Sequence, residues 1–412
     1  MNIVASHARG KVAVDKIFGA GAKAQQAVNL VGREKVINGA QGVLLDENEK
    51  LICLPTVEKV LRNLSTVDLI SYAPIKGLPE YLNDVIDITF DEYKPEAYIE
   101  SIATAGGAGA LHHTIWNYSE IGDTILTSDW FWSPYRVLCQ EALRKLDVFA
   151  LFDADLKFNL EDFKNKTLSL LKKQDNLLVI LNTPAHNPTG YSLSGDDWDA
   201  VLAVCKDYAK NKDKKITLLI DAAYLDYTGD PEGKKFFEKF ANLPPNILVI
   251  LAVSMSKSYT LYGQRTGAMI GISSDKEAMQ EFVNVNEYTS RATWSNVNRG
   301  AMKTLATIYR DKSLLYDVQR ERNDFLKIIQ ERARLFIAEA EQVKLGTLPY
   351  IAGFFMTIPT AKPDEICDQL NKDNIFLVPL DKGVRIAVCA IPSNKIPGLA
   401  AAVNKAILAM DK

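Results

Sequence analysis

Lys257 closes an apolar run and is the residue with the most chemistry to offer. It stands in Ser254-Met255-Ser256-Lys257, directly after Ile247-Leu248-Val249-Ile250-Leu251-Ala252-Val253. An ammonium at the end of a buried strand is costly unless it is paired, neutralised or used covalently. The hydroxyls of Ser254 and Ser256 flank it, and Arg265 follows, so anion-binding groups lie close in sequence. By itself a strand-end Ser-x-Lys reads as a solvated lysine. With a neighbouring anion cradle it reads as an amine set to capture a phosphorylated carbonyl compound.

Other segments supply complementary groups. Asp221 ends the apolar run 216–220, and Tyr224 follows in Asp221-Ala222-Ala223-Tyr224. Asn187 lies in His186-Asn187-Pro188-Thr189-Gly190, just after the run 177–181. As isolated motifs these read as an N-cap aspartate, a packed tyrosine and an Asn-Pro turn. Together, a carboxylate, a phenol and an amide at strand ends can hold an aromatic heterocycle by its ring nitrogen and ring oxygen. Gly106-Gly107-Ala108-Gly109-Ala110 precedes a helical pattern, which places backbone N–H groups and the positive end of a helix dipole before a phosphate. Trp132, in Trp130-Phe131-Trp132-Ser133-Pro134-Tyr135, offers a face to stack on a flat ring, or else a core aromatic. His112 and His113 lack ligand spacing and read as structural, and no metal site is indicated. The set as a whole describes a pyridoxal phosphate site, with Lys257 as the Schiff-base lysine and proton shuttle, and Asp221 keeping the ring nitrogen protonated.

The elements that must position these groups alternate. Apolar runs at 98–103, 124–127, 148–152, 177–181, 216–220, 247–253 and 268–272 are separated by segments of helical spacing such as 196–208. Several runs are continuous Val/Ile/Leu, the mark of strands covered on both faces. An α/β fold with a mostly parallel sheet sandwiched by helices follows. After the small residues 105–110 the spacing predicts a helix from near Leu111. From Lys276 to about Leu345 the pattern is helical, and 313–341 reads as one long helix joining two domains. Segments 354–358, 375–379 and 384–388 read as strands of a smaller α+β domain closed by a helix over 397–410. The expected organisation is residues 1–55 as an N-terminal arm and part of the small domain, 56–312 as the large cofactor-binding domain, and 313–412 as the interdomain helix and small domain.

Composition sets outer bounds. The chain has 412 residues, 47% hydrophobic and 24% charged, with a formal charge of −3. That is enough chain for two domains. It offers no electrostatic attraction for nucleic acid or anionic membrane. The five cysteines (Cys53, Cys139, Cys205, Cys367 and Cys389) are scattered, which favours free buried thiols in a reducing compartment. No apolar run reaches the roughly 18 residues of a membrane span. The first ten residues lack a secretory core; the absence of acids before Asp15 gives slight support to a transit segment, and a cytoplasmic location is the default.

On these residues the chain resembles the fold-type-I, pyridoxal-phosphate-dependent aspartate/aromatic amino acid aminotransferases, from about Asp15 to its end. The resemblance matches Gly106, Gly107, Ala108, Trp132, Asn187, Asp221, Tyr224, Ser254, Ser256, Lys257 and Arg265 to the cofactor set. It matches Ile37-Asn38-Gly39-Ala40-Gln41-Gly42-Val43 to a substrate-contacting loop, and Tyr72 to the tyrosine that reaches a neighbouring subunit's phosphate. Arg385, in Gly383-Val384-Arg385, takes the role of clamping the substrate α-carboxylate. Arg291, with Arg299 as an alternative, takes that of reaching across the dimer to a side-chain carboxylate. Where relatives often carry two histidines behind the ring-nitrogen aspartate, this chain has Tyr135 and Asn182. Gly106 and Ala108 stand where hydroxyls are common, and Val297-Asn298 replaces a Pro-Pro. The resemblance implies a homodimer that moves an amino group between aspartate, glutamate, tyrosine or phenylalanine and a 2-oxo acid such as 2-oxoglutarate, by ping-pong through an internal aldimine. A same-fold C–S lyase or decarboxylase, and more remotely a non-catalytic cofactor-sensing regulator, are the alternatives.

Overall fold

The computed structural model describes residues 3–12 and 15–410; the expectation of an N-terminal arm over 1–55 therefore includes Met1, Asn2, Ala13 and Val14, which lie outside the described residues. Packing divides the chain into two units. The smaller takes Met1–Lys50, Arg332–Thr347 and Met356–Lys412, and the larger takes Leu51–Glu331 and Leu348–Phe355. The border differs from the one read in the sequence. It runs within the long helix Lys312–Gln342, between Glu331 and Arg332, and Leu348–Phe355 return to the larger unit. A continuous helix keeps its apolar period while its packing partner changes, so periodicity cannot mark such a border.

The strands in chain order are β1 (Ile37–Asn38), β2 (Tyr98–Thr104), β3 (Thr124–Ser128), β4 (Lys145–Phe149), β5 (Asn176–Asn182), β6 (Lys215–Asp221), β7 (Ile247–Ser254), β8 (Gly267–Ser273), β9 (Phe355–Pro359), β10 (Ile375–Phe376), β11 (Val378–Pro379) and β12 (Gly383–Ala387). The larger unit is built on a seven-stranded sheet of order β2-β8-β7-β6-β5-β3-β4. Strands β7, β6, β5, β3 and β4 run parallel, while β8 is antiparallel to both β7 and β2. Residues of β5, β6 and β7 are buried almost throughout, and β8 entirely, as expected of continuous Val/Ile/Leu runs covered on both faces.

Register fixes what gathers at one edge of this sheet. Thr104 pairs with Gly267, Gly267 with Ser254, Ala252 with Asp221, and Asp221 with Asn182. The carboxyl ends of β2, β7, β6 and β5 and the start of β8 therefore lie side by side. The glycine segment at 106–108, Asn187, Asp221 with Tyr224, and Ser254 to Lys257 lie at or just after these ends, and Arg265 just before the start of β8; Trp132 instead follows the neighbouring β3.

Three local readings change. Edge strand β4 spans Lys145–Phe149 rather than 148–152, because pairing with β3 sets its register (Thr124 with Lys145, Ser128 with Phe149) and its exposed side carries Lys145 and Asp147. The pattern after Lys276 breaks into helices Lys276–Thr293, Arg299–Arg310 and Lys312–Gln342. In the smaller unit, 375–379 forms two short strands: β10 pairs with β1, and β11 with β12.

A buried ion pair ties the larger unit together close to Lys257. Arg322, on the long helix, lies 2.8 Å from the Asp226 carboxylate, with the two side chains 8% and 17% exposed. Burial pushes the Asp226 carboxyl up, but Arg322 beside it, with Lys234 and the Ser258 hydroxyl, holds it below the ordinary carboxylate range. The Arg322 guanidinium also sits 5.8 Å from the Tyr259 ring centre. Removing one partner leaves an uncompensated buried charge. Arg322→Met is expected to cost about 3–5 kcal/mol in urea unfolding, with part regained in Arg322→Met/Asp226→Asn. A single-variant loss no larger than that of an exposed pair would contradict this account.

Candidate active site

Ser254 ends β7 and caps the short helix Met255–Ser258, its Oγ accepting from the Ser256 N–H at 3.2 Å. The turn thus formed carries Lys257 at half-burial. Its Nζ lies among aromatic faces, 4.7 Å from the ring centre of Tyr262, 5.7 Å from Tyr224 and 5.9 Å from Phe354. Ring faces stabilise the ammonium while displacing water from it. The Tyr227 hydroxyl donates to the Lys257 carbonyl at 3.1 Å and fixes the turn from below. Sequence reasoning missed Tyr227, Tyr262 and Phe354. The first two sit within the Tyr224 and Lys257 segments and were within reach; Phe354 is brought in by tertiary packing alone.

An anion cradle adjoins this turn. The helix Gly106–Asn117 begins at Gly106, not near Leu111, so the glycines form its first turn. Their low helix propensity hid the start, yet N–H groups of a first turn have no intrahelical partner and need no strong helix former. No side chain caps this helix. Gly106 has φ +72°, and a Cβ there would come within 2.7 Å of Arg265 Nη2; one at Gly107 would lie 3.4 Å from Ser254 Cβ. Arg265 Nη1 donates to Ser256 Oγ at 3.3 Å and to the Tyr262 carbonyl at 3.1 Å. Gly106, Gly107, Ala108, Ser254, Ser256 and Arg265 are thus one neighbourhood of hydrogen-bond donors. Its closeness depends on Gly267, where a Cβ would fall 2.3 Å from the Val253 carbonyl oxygen and 2.9 Å from the Gly106 carbonyl carbon.

The third part is a buried carboxylate. Asp221, 6% exposed, accepts from the Tyr135 hydroxyl at 2.5 Å and from the Ala223 N–H at 3.3 Å. Burial raises its carboxyl above the usual range, and these two donors pull it back. Both are neutral. The Asn182 side chain donates to the Asp221 carbonyl at 2.8 Å, and its Oδ1 accepts from the Asn187 N–H at 2.6 Å. Asn187 and Tyr224 are both buried beside the same strand ends. Trp132, half-buried after β3, meets the Tyr135 ring edge-on at 5.7 Å. Two buried histidines do structural work. His186 bonds Thr189 Oγ1 at 2.8 Å, and burial holds it down to about 3. His113 stacks on Trp294 at 4.1 Å and is likewise held to about 3 by burial. Among the described residues no cluster of His, Cys, Asp and Glu could hold a metal.

Tyr72 and Arg291 lie in the larger unit but on its surface. Tyr72 is 88% exposed, and Arg291, also exposed at the end of helix Lys276–Thr293, donates to the Ser295 hydroxyl. Arg299 is engaged elsewhere, 3.4 Å from the Asp68 carboxylate and 3.5 Å from the Tyr72 carbonyl. Arg385 and Gly42 belong to the smaller unit. There Arg385 is buried on β12, and its Nη2 donates to the Ala40 carbonyl at 2.8 Å.

The family model for aminotransferase class I and II matches residues 34–403. The chain belongs to this family. It is an enzyme that transfers amino groups. A solved aminotransferase from Anaerococcus prevotii DSM 20548 is 40% identical, with a TM-score of 0.97 over 99% of this chain and 100% of that one. The cytoplasmic aspartate aminotransferase of Gallus gallus is 23% identical over 400 residues, 90% of this chain and 92% of that protein. A solved aromatic-amino-acid aminotransferase from Burkholderia pseudomallei, covalently bound to pyridoxal phosphate, shares the fold at 21% identity, with a TM-score of 0.78 over 98% of this chain and 100% of that one. Among the described residues no helix is long and apolar enough to cross a membrane.

The close approach at Gly267 yields a test of the cradle. Gly267→Ala presses on backbone atoms of Val253 and Gly106 that cannot swing aside, whereas a Cβ at Gly263 meets nothing within 4 Å. Gly267→Ala is expected to lose about 1–3 kcal/mol in denaturant unfolding and Gly263→Ala little. Equal midpoints for the two variants would contradict the packing described.

Proposed function

We propose that this chain is a pyridoxal-phosphate-dependent aminotransferase acting on dicarboxylic and aromatic L-amino acids, with a 2-oxo acid such as 2-oxoglutarate as acceptor. The observation that carries the reading is the gathering of Lys257, the uncapped Gly106 helix with Arg265, and the buried Asp221 along one sheet edge. The residues fit the cofactor on two counts. A side chain at Gly106 would collide with the Arg265 guanidinium, so the cradle is shaped for a group approached by backbone N–H donors. Asp221 is a buried carboxylate held by neutral donors, which a protonated ring nitrogen would complete.

Bound pyridoxal phosphate supplies an electron sink for the bond broken at the substrate α-carbon. The chain's own groups do the rest. Backbone N–H groups of Gly106, Gly107 and Ala108, with Ser254, Ser256 and Arg265, hold the phosphate. Trp132 would cover a ring face, and Asn187 and Tyr224 would donate to the ring oxygen. Asp221 keeps the proton on the ring nitrogen. Lys257 would anchor the cofactor through its ε-amino group and, once free, would carry the proton from the substrate α-carbon. The aromatic faces around its Nζ exclude water from that transfer. Arg385 takes the α-carboxylate, which orients the α C–H bond for loss.

The working form in this reading is a homodimer in which Tyr72 reaches the partner's phosphate and Arg291 the partner-bound substrate's side-chain carboxylate. Support comes from the exposed apolar face of Val67, Leu69, Ile70 and Tyr72, 48–88% accessible. The engagement of Arg299 by Asp68, against the neutral Ser295 partner of Arg291, favours Arg291 for the carboxylate. A cytoplasmic location accords with the reading.

A panel of single amino acids tests it through the cofactor's absorbance change in the half-reaction. Aspartate, glutamate and aromatic substrates are expected to react. Arg291→Ala should lower kcat/KM for aspartate by about 10²–10³ while sparing phenylalanine, as loss of a charged hydrogen-bonded partner implies. Equal losses for both substrates would remove Arg291 from the substrate site, and no reaction with any amino acid would overturn the function.

A further inference from the structure

Asp221 presents a physical problem: what keeps a buried carboxylate ionised and aimed. Among the described residues no cation acts on it; Tyr135 and the Ala223 N–H do. Tyr135 is itself wholly buried, on the helix Pro134–Glu141 that follows β3, and its hydroxyl reaches Asp221 Oδ2 at 2.5 Å. Its ring is braced edge-on by Trp132, 5.7 Å away, so the hydroxyl has little freedom to leave. On the other side, one Asn182 side chain spans the Asp221 carbonyl at 2.8 Å and the Asn187 N–H at 2.6 Å. β5 and β6 place Asn182 directly opposite Asp221.

We infer that Tyr135 is a positioning residue that holds Asp221 ionised and directed at the ring nitrogen, while Asn182 sets the spacing between Asp221 and the ring-oxygen donor Asn187. The inference rests on the cofactor reading above and deepens it. A charge-neutral donor has a defined consequence. Burial favours the protonated carboxyl, and a phenol O–H given to Oδ2 favours the ionised one. Neutral donors also leave the negative charge uncancelled, so its attraction is directed to the protonated ring nitrogen rather than shared with a protein cation. Asn182 acts through geometry: its amide joins two backbone points from which the side chains holding opposite edges of the ring emerge.

The two roles separate in an equilibrium binding experiment that does not depend on turnover. Pyridoxal phosphate and its 1-deaza analogue, in which a C–H replaces the ring nitrogen, are titrated against quenching of tryptophan fluorescence. Wild-type protein is expected to prefer pyridoxal phosphate. Tyr135→Phe should shrink that preference about tenfold, the scale of one hydrogen bond to a charged group, while still binding the analogue. Tyr135→His, which restores a donor, should regain most of it. Asn182→Ala should weaken both compounds alike, because the ring oxygen is common to them. A Tyr135→Phe variant that loses affinity equally for both, or keeps the full preference, would overturn the Tyr135 assignment. An Asn182→Ala variant with unchanged affinity for both would overturn the role of Asn182. Wild-type protein that binds neither compound would instead overturn the cofactor reading itself.

Discussion

At the end of β6 a carboxylate is taken out of water and, among the described residues, given a phenol and an N–H for company. The rest of the site depends on that arrangement. An ionised Asp221 in a low-dielectric pocket attracts a cation strongly, and the charges of the chain nearest the site are placed to serve other ends. Arg265 lies on Gly106 and Ser256, Arg322 is bound to Asp226, and Lys257 stands among ring faces. A flat cationic heterocycle with a phosphate at one end meets all these requirements at once. The protein supplies a negative terminus, an anion cradle, and an amine between them.

The sheet makes this arrangement rigid. Four strand ends and one strand start lie in register, so the spacing between the cradle, the lysine turn and Asp221 is set by backbone hydrogen bonds rather than by loops. The antiparallel strand β8 is the decisive departure from a purely parallel sheet. By reversing direction it brings Gly267, and Arg265 just before it, against both Val253 and Gly106. A parallel strand in its place would deliver its carboxyl end to this edge, and Arg265 would enter at the far side. Arg265 itself adopts φ +52°, a conformation that non-glycine residues seldom hold without surrounding constraint.

Much of this was legible before the structure. Continuous apolar runs ending in Asp221, and in Ser254 shortly before Lys257, announced buried strands, and the several polar and ionisable residues at their carboxyl ends are explained more simply as one site than one by one. What sequence could not give was anything decided by packing across the chain. The Phe354 ring over Lys257 comes from a segment far along the chain that reads as a plain strand start. The resemblance set Tyr135 behind Asp221, but the bond its hydroxyl makes to the carboxylate, joining helix to strand, is fixed by packing alone. The helix at Gly106 began earlier than its propensities suggested, because a first turn is ruled by its unpaired N–H groups. The unit border inside Lys312–Gln342 left no local mark for a similar reason, since the helix is locally uniform across it.

The central claim is that one ε-amino group, at the end of β7, forms the covalent attachment to the coenzyme. It is tested most directly by loading the protein with pyridoxal phosphate, reducing with borohydride, and mapping the labelled peptide by mass spectrometry. The account predicts a single stable label on Lys257. A label spread over several lysines, one fixed at a different lysine, or protein that takes up none would contradict it.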